Sequence, residues 1–166
     1  MFREMRRKAQ QIPDAEAEEI LKRGKTGILG VLGDEGYPYT VPLNYAYEDG
    51  KISFHCALTG HKIDAIRQYD KVSFTVIDAD DVIARDRTTA YRSVIAFGRA
   101  REITDREEKI RSLRLVGYKY SGDYPDLVEE EIAEACDHTC CVEITVEHLT
   151  GKEGSALLKQ RQHRQS

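Results

Sequence analysis

Hydrophobic and polar positions alternate with a period of two through most of the middle of this chain, and the clearest run is followed at once by its mirror. Tyr39, Val41, Leu43, Tyr45 and Tyr47 alternate with Thr40, Pro42, Asn44, Ala46 and Glu48, the pattern of a half-buried strand. Asp49-Gly50 then signals a tight hairpin, after which Ile52, Phe54 and Cys56 alternate with Ser53, His55 and Ala57. A two-residue loop sets Glu48 opposite Lys51, Tyr47 opposite Ile52, Ala46 opposite Ser53, Tyr45 opposite Phe54 and Asn44 opposite His55. One face is bulky and apolar. The other carries Thr40, Pro42, Asn44, Ala46, Ser53, His55 and Ala57, small or hydrogen-bonding groups suited to the floor beneath a flat polar ligand. Pro42 has no N–H, which puts its strand at an edge or at a bulge and leaves backbone groups free.

The remaining pattern surrounds this hairpin with strands and short helices. Residues 13–24 read as a helix, with acids in the first turn, bases in the last, and Gly24 suited to a left-handed terminal position. Residues 26–32 form a first strand, and Gly33 to Gly36 turn it toward the hairpin. Ile63 and Ile66 are spaced for a short amphipathic helix. Val72, Phe74 and Val76 mark another strand, and residues 77–87, rich in aspartate and arginine, read as a mobile connection. Residues 89–103 form a long strand, with Gly98 where a barrel strand bends and with Tyr91, Ser93, Ile95 and Phe97 on one face. Thr104-Asp105-Arg106-Glu107 is a capping-box start for a helix. A loop over 117–125, an acidic helix over 126–136 and a closing strand over 139–146 follow, with residues 1–12 as an arm and 156–166 as a flexible tail. The order fits one domain, mainly β with peripheral helices: a small antiparallel barrel.

Composition narrows the function classes without choosing one. The 166 residues are 40% hydrophobic and 33% charged, an ordinary folded domain. A net charge of −4 argues against nucleic acid as the main partner, since the basic runs Arg6-Arg7-Lys8 and 159–164 are terminal and lack interleaved aromatics. No apolar segment is long enough for a membrane span and no apolar signal core follows the first charges, so the cytoplasm is the expected location.

Three places carry candidate chemistry. Gly60-His61-Lys62 puts cations in a first helical turn, where they oppose the helix dipole by about 0.3 to 1 kcal/mol each. An anion bound there reverses that penalty, because free N–H groups and Lys62 both point at it. A solvated lysine and histidine on a surface helix, partly compensated by Asp64, is the competing reading. Ser93, between Val94 and Ile95, is either a core serine or a ligand contact. The four cysteines, Cys56, Cys136, Cys140 and Cys141, form no disulfide framework, and Cys136 to Cys141 matches no common zinc spacing, so no metal is expected.

The order of these pieces resembles the flavin-binding split-barrel superfamily related to pyridoxamine 5′-phosphate oxidase, within it the nitroimidazole-resistance (Nim-type) branch. The likeness rests on Gly36-Tyr37-Pro38-Tyr39, Val41-Pro42-Leu43-Asn44-Tyr45, Phe54-His55-Cys56-Ala57 followed by Gly60-His61-Lys62, and Tyr91 to Ile95 followed by Phe97-Gly98. What the resemblance implies is a homodimer binding FMN near the subunit interface. Val41, Pro42, Leu43, Asn44 and Tyr45 would lie along the ring and ribityl chain, Gly60, His61 and Lys62 would meet the phosphate, and Ser93 would touch phosphate or ring. His55 resembles the histidine close to the flavin in Nim-type members, and is the candidate catalytic residue. The oxidases themselves begin the phosphate-binding strand with an arginine where this chain has Tyr39-Thr40, and they use a C-terminal tryptophan, a residue type absent here. The expected activity is therefore reduction of a small acceptor such as a nitroaromatic at the expense of a reduced nicotinamide, the alternative being a flavin- or haem-binding protein without turnover.

Overall fold

The turn at Asp49-Gly50 forms with both residues at positive φ, 48° and 77°, the backbone that a two-residue hairpin requires. The computed structural model describes residues 1–165. In chain order the elements are β1 (Gln11–Ile12), α1 (Asp14–Arg23), β2 (Thr26–Leu32), β3 (Pro38–Asn44), β4 (Ala46–Glu48), β5 (Lys51–Ala57), α2 (His61–Gln68) and β6 (Lys71–Ile83). They continue with β7 (Thr88–Ile103), α3 (Arg106–Ser121), α4 (Pro125–Ala135), β8 (Thr139–Glu153) and α5 (Ser155–Gln165). All strands belong to one antiparallel sheet in the order β3-β2-β6-β7-β8-β5-β4, with β1 attached to β8. β3 and β4 stand at opposite ends of that order, yet only Tyr45 separates them in the chain. The sheet must therefore curl until its ends meet, which makes it a barrel with a split between β3 and β5.

The expected hairpin register holds for Ala46 with Ser53, Tyr47 with Ile52 and Glu48 with Lys51, and fails beyond them. Tyr45 and Ala46 are both buried, so the alternation breaks there. β3 turns away to pair with β2, setting Asn44 against Thr26, and His55 faces Cys141 of β8 instead of Asn44. The cause is what Tyr45 gains inside: its ring meets Phe74 edge-on at 4.8 Å and its hydroxyl donates to the Leu21 carbonyl at 2.7 Å. Ser53, expected on the ligand-facing side, is buried under α3. Pro42 does lie in an edge strand, as its missing N–H requires.

Several other boundaries differ from the sequence pattern. Residues 77–83, expected as a mobile connection, extend β6, and the hairpin with β7 runs to Ile83 opposite Thr88 past a bulge between Ile77 and Ala79. One of their three acids is held by arginines: Asp78 accepts from Arg23 at 2.7 Å and from Arg92 at 3.3 Å. Helix α3 continues through Ser121 where a loop was expected, and its cap is Asp105, one residue later than Thr104, accepting from the Glu108 amide at 2.9 Å. β8 runs on to Glu153, and 155–165 is helical where a tail was expected. Gly24 is extended (φ −60°, ψ 137°), not left-handed; it is needed because a Cβ there would come within 2.6 Å of the Tyr45 hydroxyl. Gly98 sits at a register shift of β7 against β8, the bend its position suggested, with the Thr145 carbonyl in the space that a Cβ would need.

The barrel interior is filled by Leu29, Ile52, Phe54, Ile63, Phe74, Val94, Val142 and their neighbours. A smaller cluster of Ile103, Leu113, Val128, Ile132, Cys136 and Cys141 lies under α3 and α4. Burial pushes the Cys140 thiol up to about 12 and Cys141 to about 11. Both folded values lie above the unfolded thiol value, so the folded state holds more protons in alkali. Their contribution is complete below about pH 8 and is lost as pH rises through 11 to 12. Stability measured by urea midpoint is expected to fall above about pH 9, and less steeply in Cys141→Ala; an equal slope in that variant would remove the thiols as the cause.

Candidate functional site

The split leaves two unpaired strand edges. Among the described residues β3 pairs as a strand only with β2, and residues 54–57 of β5 only with β8, because β4 ends its pairing at Ser53. Peptide groups on these edges are available to a ligand in the way an edge strand offers itself to another strand. One end of the split is closed where the chain crosses at Tyr45. There the Tyr120 hydroxyl of α3 accepts from the Tyr45 amide at 3.1 Å and donates toward the carbonyls of Tyr45 and Lys25. Sequence reasoning missed Tyr120, having placed it in a loop. Its loss in Tyr120→Phe leaves a buried amide without an acceptor and is expected to cost about 1–3 kcal/mol; urea denaturation measures it.

The other end meets the start of α2. Gly60, at φ 134°, turns the chain into the helix, and its carbonyl accepts from the amides of Ile63 at 2.9 Å and Asp64 at 3.1 Å. The amides of His61 and Lys62 take no part in these bonds and stand at the positive end of the helix dipole. No side chain among the described residues caps this turn. His61 stacks on Tyr39 of β3, ring centroids 4.2 Å apart, and its Nε2 accepts from the Asp34 amide at 3.3 Å. Lys62 is half-buried and makes no hydrogen bond or ion pair among the described residues. Burial raises the Cys56 thiol, and the charges of Lys62 and, to a smaller extent, Arg67 oppose that rise, which sets Lys62 within electrostatic reach of the end of β5.

The remaining expected residues divide by face. Val41 and Leu43 pack against the barrel core, Tyr45 is fully inside, and Pro42 and Asn44 are exposed on the outer side, with Asn44 donating to the Lys25 carbonyl at 3.0 Å. His55 is exposed and makes no hydrogen bond or ring contact among the described residues. Gly60, His61 and Lys62 are thus gathered with the start of β3 and the end of β5. Ser93 is not gathered with them: it faces outward between Ile77 and Lys152, three strands from β3 and so about 14 Å across the sheet at ~4.8 Å per strand. There it lines a groove of about 370 Å³ with Phe2, Ile95, His148 and Lys152.

Below the α2 turn, Arg67 forks onto Glu102 at 2.6 and 2.9 Å, and Glu102 also accepts from the Cys140 thiol at 3.5 Å. The guanidinium holds the Glu102 carboxyl below its ordinary value. This pair fastens α2 to β7 and was not legible in the sequence, since its members lie 35 residues apart. Among the described residues no group of three or more His, Cys, Asp or Glu side chains is placed to hold a metal ion, and no helix is long and apolar enough to cross a membrane.

Comparisons with known proteins agree with this architecture. Solved structures that resemble it include a candidate 5-nitroimidazole antibiotic resistance protein from Bacteroides thetaiotaomicron, 25% identical over 86% of each chain with a TM-score of 0.72. A conserved hypothetical protein from Mycobacterium tuberculosis is 23% identical over 93% of this chain and 92% of that one, with a TM-score of 0.79. A FAD-binding protein from Mesorhizobium loti is 24% identical over 88% of this chain and 98% of that one, with a TM-score of 0.61. No curated protein matches the chain. The family model described as pyridoxamine 5′-phosphate oxidase matches residues 13–153, and a match over that length means that the chain belongs to this family.

Proposed function

We propose that the protein binds FMN along the split and uses it to pass electrons from a reduced nicotinamide to a small acceptor such as a nitroaromatic. The observation that carries the reading is Lys62: a half-buried cation without an anion, at a helix start whose first amides are free. A phosphate monoester fits that turn, because it supplies the negative charge that the amides, the dipole and the ammonium group all lack. Val41, Pro42, Leu43 and Asn44 would hold the ring and ribityl chain through the open edge of β3, and Tyr45 would fix that edge. Ser93 enters this reading from the outer face, as a contact made where two subunits meet. The family membership and the FAD-binding neighbour support a flavin, and the nitroimidazole-resistance neighbour supports the acceptor class.

Bound flavin would supply the electron-transfer chemistry, and the chain's task is to place and protonate. His55, exposed on β5 beside the open edge and held by no partner, is free to donate a proton to a reduced acceptor. Oxidation of pyridoxamine phosphate does not fit as well, since Tyr39-Thr40 stands where those oxidases carry an arginine and the chain has no tryptophan. A homodimer is part of the proposal, and the outer sheet face, where Leu32, Ile77, Ile95 and Phe97 are exposed, supports it. The cytoplasm is the proposed location.

The spectrum of the purified protein tests the reading. A flavin spectrum that bleaches anaerobically on addition of NADH or NADPH is the expected result. A flavin spectrum that does not bleach moves the protein to the binding class without turnover, and a Soret band moves it to haem. His55→Ala is expected to retain flavin and to slow reoxidation by a nitroaromatic; unchanged turnover would remove His55 from the chemistry.

A further inference from the structure

A second concave surface lies between α3 and β4, away from the α2 turn. The helix presents Arg111, Arg114, Leu115, Tyr118 and Lys119 at intervals of three and four residues, so all five share one side of it. That side faces Ala46 and Tyr47 across a groove of about 590 Å³, the size of an ordinary small-molecule site. Its lining contains four cations, Lys22, Arg111, Arg114 and Lys119, and a single carboxylate, Glu48. On a chain whose net charge is −4 this is a local reversal of sign.

Two of the cations are already answered from beside the groove, Lys22 by Glu19 at 2.8 Å and Arg114 by Glu129 at 2.7 Å. The other two have no carboxylate. Arg111 makes no hydrogen bond or ion pair among the described residues. Lys119 donates to the Gly24 carbonyl and lies 4.1 Å over the Tyr45 ring and 5.5 Å from the Tyr120 ring, so dipoles and π-faces, and no carboxylate among the described residues, meet its charge. Burial pulls its pKa down to about 8, the direction expected for an ammonium group with too little negative charge nearby. Beside these cations the groove offers two aromatic surfaces, Tyr47, half-buried on β4, and Tyr118, 41% exposed on α3.

We infer that the groove between α3 and β4 is a binding site for a phosphorylated aromatic small molecule of the nucleoside diphosphate class, with Arg111 and Lys119 taking the phosphates and Tyr47 and Tyr118 the base. The planar guanidinium suits phosphate oxygens in pairs, and the tyrosine rings add stacking that a bare phosphate cannot use. This inference does not depend on the flavin reading, because none of its residues belongs to the split.

Calorimetric titration of the full chain with ADP, inorganic pyrophosphate and adenosine tests it. ADP is expected to bind at least about tenfold more tightly than either fragment, and Arg111→Glu to weaken ADP at least about tenfold, a difference of ~1.4 kcal/mol. Arg111→Glu has no partner to lose, so its melting temperature should match that of the parent. Lys62→Ala should leave ADP affinity unchanged, which separates this groove from the α2 turn. Amide shifts in the parent protein on adding ADP should fall on α3 and β4, a readout that needs no variant. Undetectable binding at about 1 mM ADP, affinity no better than that of pyrophosphate, shifts confined to α2, or full affinity in Arg111→Glu would each overturn the site.

Discussion

Lys62→Glu is expected to reduce FMN retention by about a hundred- to a thousandfold, the largest functional effect of any single change in the split. A charge-assisted hydrogen bond from an ammonium group to phosphate contributes ~1.5–3 kcal/mol, so removing it alone, as in Lys62→Ala, lowers affinity by about ten- to a hundredfold. The carboxylate adds repulsion of ~1 kcal/mol or more at a few ångströms in a partly solvated site. Nothing in the fold should fail in compensation, because Lys62 makes no hydrogen bond or ion pair among the described residues while Ile63, Ala65 and Ile66 anchor α2 in the core. Quenching of FMN fluorescence on titration into apoprotein gives the affinity, and thermal melts give the stability. Affinity in Lys62→Glu within about threefold of the parent, well under 1 kcal/mol, would place the phosphate elsewhere.

The turn at Asp49-Gly50, the edge position of Pro42 and the bend at Gly98 were legible because each is dictated by one residue's backbone chemistry. The departure of β3 from the hairpin was not. It depends on what Tyr45 finds across the molecule, Phe74, Leu21 and Tyr120, at sequence distances of 24 residues and more. The same holds for β6: the run around Asp78 looks like a loop until Arg23 and Arg92 arrive from other elements to hold Asp78, and until residues 79–83 pair with β7. At the candidate site, Gly60-His61-Lys62 could be picked out because cations at a helix start contradict the dipole and so ask for an explanation. Ser93 carried no comparable signal, since a serine between apolar residues reads the same on either face of a strand. The helix α5 was invisible for a related reason, as its sequence has no apolar stripe and it is held instead by Arg161.

That attachment makes Glu153→Ala the most destabilising charge deletion expected outside the barrel core, at about 2–4 kcal/mol for two charge-assisted bonds lost together. Glu153 ends β8 at 1% exposure. It accepts from Arg92 of β7 at 3.3 Å and from Arg161 of α5 at 3.0 Å, while Arg161 also reaches Glu16 of α1 at 2.8 Å. One carboxylate therefore joins the last strand, the long strand and the terminal helix to the first helix. Truncating it removes the carboxylate that two guanidinium groups share; Arg92 keeps Asp78 at 3.3 Å and Arg161 keeps Glu16 at 2.8 Å, so two charge-assisted bonds are lost together and the loss exceeds the worth of either alone. Arg161→Ala should be milder, about 1–2 kcal/mol, because Arg92 still neutralises Glu153. Hydrogen exchange gives the location of the effect: Glu153→Ala should expose the amides of α5 and spare those of β2 and β3. A urea midpoint for Glu153→Ala equal to that of Arg161→Ala would show that the carboxylate has no role beyond docking the terminal helix.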